Sequence, residues 1–136
     1  MKYLELGDVK EIHGRHLSSE GTDTDLAGFL HNANSLGYLL DVVRIGEREG
    51  DPYPTLAEKA AVYAFNIITR HVFVDGNKRT GMTAMFLFLN LNSADLTGIT
   101  NREIVNVALS IAENKMAFQD LVNWINNRII FTNNLR

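Results

Sequence analysis

The sequence has 136 residues, one domain's worth, and its 46% apolar and 21% charged composition can bury a core, which argues against bulk disorder. Thirteen Lys and Arg stand against sixteen Asp and Glu, a net charge of −3, which speaks against indiscriminate nucleic-acid binding. Cysteine is absent, excluding disulfides, thiolate catalysis and cysteine zinc sites and fitting a reducing cytoplasm, and no run approaches the roughly 18 apolar residues of a membrane span or carries signal-peptide flanks.

Only Pro52 and Pro54 interrupt the chain, both in one loop, so a mostly helical fold is expected. Asp8 and Glu11 have capping-box spacing and predict a helix to about Leu17, with Val9 and Ile12 as its apolar positions. Gly21, Thr22, Asp23 and Thr24 read as a loop and cap, and Leu26, Phe29 and Leu30 as a short helix. Leu36, Leu39, Leu40 and Val43 share one face of a helix from Ser35 to about Val43. Gly46 to Pro54 forms a break that reads either as a solvated connection or as a flap over a binding site.

Thr55 and Glu58 form a second capping-box pattern. The helix behind it, to about Arg70, is apolar over too wide an arc for a surface element and should run through the centre of the domain. Further helices are expected over Lys78–Leu91, over Ile104, Val107, Ala108 and Ile111 behind a Thr100–Glu103 cap, and over Met116–Ile130. No repeat, linker or low-complexity tract is visible. Residues 1–136 are therefore expected to form a single all-α domain.

The two central helices are joined by His71-Val72-Phe73-Val74-Asp75-Gly76-Asn77-Lys78-Arg79-Thr80. A tight turn between helices needs little more than Gly76, yet this joint also gathers an imidazole, a carboxylate, an amide, an ammonium and a guanidinium. Lys78 and Arg79 fall at a helix start, where the dipole is positive and an exposed cation costs roughly 0.3–1 kcal/mol. An anion bound at that end would reverse the sign, held by the backbone N–H groups and both side chains. Gly76 lets the backbone approach a phosphate, Asn77 can donate an amide, Asp75 is a hard oxygen ligand for magnesium, and His71 can accept a hydroxyl proton. Together these are the parts of a phosphoryl-transfer site. Taken singly each has a structural explanation: His71 as a helix-end residue, Phe73 and Val74 as anchors, Asp75 as a turn residue, Lys78 and Arg79 as solvated charges. His13, His16 and His31 are scattered and read as structural or surface residues, with His13 or His16 lining the site as the alternative.

The run HVFVDGNKRT at 71–80 resembles the signature of the Fic/Doc superfamily, most closely its death-on-curing (Doc) toxin branch. PYPTLAEKAA at 52–61 and FLFLNLN at 86–92 are similar to the same family. The resemblance implies a compact bundle of about six to seven helices with its site on the loop between two central helices. Fic proteins typically transfer AMP from ATP to a protein hydroxyl, with the pattern His-Pro-Phe-x-Asp/Glu-Gly-Asn-Gly-Arg and often an Arg three residues on. Here Val72 replaces the Pro, Lys78 the second Gly, and Met82 the further Arg. The Lys form is the one seen in Doc toxins, which phosphorylate a protein threonine.

The resemblance thus implies a Doc-like kinase that uses ATP and Mg2+, with translation elongation factor Tu as protein substrate, growth arrest as outcome and an antitoxin as partner. His71 would be the base, Asp75 the metal ligand, Asn77, Lys78 and Arg79 the phosphate binders with Gly76, and Phe73 the anchor. The inhibitory Ser/Thr-x-x-x-Glu-Gly/Asn spacing of some Fic proteins is missing, Ser110 to Glu113 being one residue short, which leaves inhibition to the antitoxin. Residues 18–25 lack the glycine pair and Arg-Asp common in Doc-like chains. The alternatives are a Fic-type AMP transferase and a catalytically silent domain that binds a nucleotide or a partner. Neither nucleic acid nor membrane is expected as a direct partner.

Overall fold

The computed structural model describes residues 1–20, 31–47 and 50–132. Among these residues the chain forms six α-helices, one 3-10 turn and a two-stranded ribbon, so the helical class holds. The loop and cap expected at Gly21–Thr24 and the short helix expected around Leu26, Phe29 and Leu30 lie outside the described residues.

Helix α1 (Leu6–Glu20) starts earlier than its capping pattern indicates. Asp8 is its third residue, and the carboxylate reaches back to accept the Glu5 backbone N–H at 2.8 Å. A carboxylate there satisfies an orphan donor and meets the positive end of the dipole. Among its described side chains Val9, Ile12 and His13 are buried.

Helix α2 (Ala33–Val42) is capped by Asn32, whose side chain accepts the Ser35 N–H at 3.2 Å. Leu36, Leu39, Leu40 and Val43 are buried, as their spacing predicts. A 3-10 turn (Val43–Glu47) follows. The break beyond it is stitched to the core: Lys59, only 2% exposed, donates its Nζ to Asp51 Oδ2 at 2.9 Å and to the Val43 carbonyl at 2.9 Å. Partial burial alone would raise the Asp51 carboxyl; the Lys59 ammonium and the Tyr53 N–H together outweigh it and hold the group below its ordinary value. This part of the connection is therefore not simply solvated.

Helix α3 (Leu56–Thr69) carries the complete Thr55–Glu58 capping box, and residues on all its sides are buried, so it is the central element. Helix α4 (Asn77–Leu91) packs along it more extensively than any other pair of elements. Gly81 allows the close crossing: a Cβ there would stand 2.9 Å from Ile68 Cγ1 and 3.1 Å from the Ala64 carbonyl oxygen. The loop joining α3 to α4 is thereby held between two rigid, buried helices.

Helix α5 (Asn101–Ala112) begins at Thr100, whose hydroxyl accepts the Glu103 N–H at 3.1 Å. The Glu103 carboxylate goes to Arg128 at 2.7 Å and to the Trp124 indole N–H at 2.9 Å. Helix α6 (Phe118–Asn126) packs on α3 through Leu121, Val122 and Ile125. It stops short of the expected Ile130. Ile129–Phe131 instead form strand β2, antiparallel to β1 (Ala94–Leu96), with Asp95 opposite Ile130. The β-branched pair Ile129-Ile130 takes a strand because a partner strand is available. No helix among the described residues is long and apolar enough to cross a membrane.

Candidate active site

Two backbone reversals shape the loop between α3 and α4. After Arg70 caps α3, His71 adopts φ 49°, the left-handed conformation that costs an L-residue about 1–2 kcal/mol. The reversal leaves His71 exposed at the C-terminal end of α3 and sends Val72 and Phe73 into the core, both essentially inaccessible. Val74 and Asp75 return to the surface. Gly76, at φ 80° and ψ 17°, makes the second reversal and starts α4. A residue without a Cβ takes that conformation at no steric penalty.

Three sets of contacts hold the loop. The Val72 carbonyl accepts the backbone N–H groups of His31 at 2.9 Å and Asn32 at 3.0 Å. Asn77 closes the loop from the other end: its Oδ1 accepts the Phe73 N–H and its Nδ2 donates to the Phe73 carbonyl, each at 2.9 Å. From below, His13 on α1 stacks on the Phe73 ring, centroids 3.8 Å apart and planes 7° from parallel, and its Nε2 contacts the Asp75 carbonyl at 2.6 Å.

The Asn77 side-chain amide thus serves the loop backbone, a use beyond the phosphate contact expected of it; one of the two Nδ2 hydrogens is engaged with the Phe73 carbonyl. Phe73 is the buried anchor that the sequence indicates. His13 is structural, as expected, but it is buried directly beneath the loop, which its scattered position did not foretell. The available signal was its place in the Val9, Ile12, His13 stripe, since an imidazole on an apolar helix face needs a hydrogen-bond partner.

Above the loop lies a polar pocket of about 310 Å³ lined by His71, Asp75, Gly76, Asn77, Lys78 and Arg79, with Ile68, Val74 and Ala112. The fold thus brings six of the predicted site residues to one cleft, with Phe73 under it. Helix α4 has no side-chain cap at Gly76 and no acidic residue in its first turn, while Lys78 and Arg79 are exposed there. The N–H groups of a helix's first turn have no partners within the helix, and with two cations beside them they are an arrangement able to hold an anion. Asp75 presents an exposed carboxylate whose Oδ1 accepts the Gly76 N–H at 2.7 Å. Among the described residues no three His, Asp or Glu side chains gather to hold a metal. A single carboxylate beside an anion site suits magnesium, which is commonly held by one or two carboxylates plus phosphate oxygens.

A second groove of about 490 Å³ adjoins the first and shares Lys78 and Arg79 with it. Its walls are largely apolar: Met82 from α4 and Ile104, Val105, Ala108 and Leu109 from α5. Val105 and Leu109 are exposed there. Sequence periodicity does not reveal this groove, because it assigns such residues to a core and cannot say where two helices part.

The Fic/DOC family model matches residues 3–89, more than half of the chain. Toxin Doc of Mycolicibacterium smegmatis is 44% identical over 46 residues, which cover 34% of this chain. The aligned stretch spans about a third, 35%, of that relative's own length. Since the family match runs from before α1 into the last turns of α4 and takes in the whole loop between the central helices, the chain belongs to the Fic/DOC family.

Proposed function

We propose that this chain is a Doc-like toxin kinase that transfers the γ-phosphoryl group of ATP to a Ser or Thr hydroxyl of a translation factor, elongation factor Tu being the expected target. The observation that carries the reading is a polar pocket that joins the His71 imidazole, the Asp75 carboxylate and the cationic, uncapped start of α4. The toxin assignment and the antitoxin partner follow from the similarity to Toxin Doc. Lys78 favours phosphate over AMP transfer, because it stands where Fic proteins of the AMP-transferring pattern have glycine.

In this reading the first-turn N–H groups of α4, with Lys78 and Arg79, bind the phosphate oxygens and orient the chain of phosphates. Asp75 would hold Mg2+, which lowers the charge on those oxygens. His71 accepts the proton of the incoming hydroxyl at a ring nitrogen as its oxygen bonds to the γ-phosphorus and the bond to the bridging oxygen breaks, leaving ADP. The left-handed backbone at His71 and the place of this residue in the pocket lining support the role. Without restraint of the toxin by a bound antitoxin, the product is a blocked translation factor and arrested growth.

AMP transfer is the second reading, and the apolar groove favours it: a nucleoside seated there would bring its α-phosphate to Lys78 and Arg79. One experiment separates the two. The protein is incubated with Mg-ATP and a cell extract and the modified target is weighed. Addition of a phosphate supports the kinase, and addition of AMP supports the second reading. Expression of wild type and His71→Ala decides whether the pocket is catalytic: arrest by wild type alone is expected, and equal harmlessness of both would sink the enzyme.

A further inference from the structure

The nucleotide reading leaves unexplained why a buried imidazole sits beneath the loop. His13 is 2% exposed and belongs to α1, far from the loop in sequence. Its Nε2 lies 2.6 Å from the Asp75 carbonyl oxygen, which can only accept, so Nε2 must carry the proton. The peptide unit is planar and trans, so its C=O and N–H point in opposite directions. Turning the Asp75 carbonyl inward to His13 therefore turns the Gly76 N–H outward. There it donates to Asp75 Oδ1 at 2.7 Å and fixes that carboxylate.

Apart from that short contact with the mobile end of an exposed side chain, the peptide has no restraint of its own. Rotating the Asp75–Gly76 plane changes φ of residue 76, and glycine tolerates both signs of φ almost equally. A flipped plane would present a carbonyl oxygen to the pocket and release the carboxylate. A merely apolar neighbour for Phe73 would fill the same space with no preference between the two orientations. We propose that His13 is a positioning residue: it locks the Asp75–Gly76 peptide so that the Gly76 N–H and the Asp75 carboxylate face the anion pocket. The inference rests on the nucleotide-binding reading of that pocket and adds the element that sets its geometry.

The test compares His13→Phe, which keeps a stacking ring but no donor, with His13→Gln, whose side-chain nitrogen lies the same number of bonds from Cα as Nε2. The Gly76 amide resonance in the unliganded protein and the affinity for Mg-ATP are measured for each, with thermal stability as the folding control. In His13→Phe the Gly76 resonance is expected to move or double and Mg-ATP to bind about three- to tenfold more weakly, the worth of one hydrogen bond. His13→Gln is expected to return both towards wild type. In the wild type, nitrogen NMR of His13 is expected to find Nε2 protonated, a readout that needs no variant to fold. An unprotonated Nε2, a Gly76 resonance indifferent to His13→Phe, or a Gln variant no closer to wild type than Phe would each overturn the lock. Failure of the wild type to bind Mg-ATP would sink the functional reading instead, while the Gly76 resonance and the tautomer would still decide the role of His13.

Discussion

Replacing Asn77 with alanine tests whether that side chain serves the fold or only a ligand. In the unliganded protein its two amide atoms make two hydrogen bonds, both 2.9 Å, to the N–H and the carbonyl of Phe73. Each contact of this kind is worth about 0.5–1.5 kcal/mol net, so Asn77→Ala should destabilise the protein by about 1–3 kcal/mol. Helix propensity works the other way, since alanine exceeds asparagine by up to about 0.7 kcal/mol, but that gain is reduced at the first helical position and does not cancel the loss. For a chain of this size the shift in Tm is roughly 3–5 °C per kcal/mol. Urea and thermal denaturation without nucleotide are the assays. A side chain waiting only for phosphate would cost nothing when removed, so an unchanged or higher Tm would refute the loop-closing role. Asn77→Asp is a useful companion: it keeps an acceptor for the Phe73 N–H but sets a carboxylate against the Phe73 carbonyl, so it too should lose stability despite suiting the helix dipole.

The close crossing of α3 and α4 makes Gly81→Ala destabilising by about 1–3 kcal/mol through overpacking, less the roughly 1 kcal/mol alanine gains in helix propensity, and a more stable variant in urea denaturation would contradict it. Ile68→Ala should cost less in that background than in wild type, because it removes one of the two clashing groups, and a double-mutant cycle reads the difference. Gly76→Ala places a Cβ at φ 80° and should cost about 1–2 kcal/mol while weakening phosphate binding, as calorimetric titration would show. Glu103 is held below its ordinary 4.5, chiefly by the Arg128 guanidinium and then by the Trp124 indole N–H. The folded state therefore binds fewer protons there than the unfolded chain, so its contribution is full above that value and disappears as pH falls through the lowered one. Urea midpoints of wild type and Glu103→Gln should accordingly converge between neutral pH and pH values below 4.5; parallel curves would argue against the pairing.

Local signals sufficed for most elements whose determinants lay within a few positions, although the Asp8–Glu11 spacing set the start of α1 too late. The Thr55–Glu58 box, the Leu36, Leu39, Leu40 and Val43 stripe, and the all-round apolar character of α3 are properties of one helix, and the structure follows them. The cationic start of α4 was legible for the same reason, because a helix end and its dipole depend only on where the helix begins. What distance in sequence hid was of a different kind. Ile129–Phe131 became a strand because Ala94–Leu96 lies beside it, and no periodicity within the last thirty residues records that neighbour.

The same division runs through the site. Residue types alone determined that an imidazole, a carboxylate, an amide and two cations share one short loop between two helices. Only the tertiary structure decided how they face: His71 turned outward by a left-handed backbone, the Asn77 amide folded back on Phe73, and a histidine from α1 set under Asp75. Those orientations come from packing three helices against one another, and the free energy that fixes them is spread over contacts between residues dozens of positions apart.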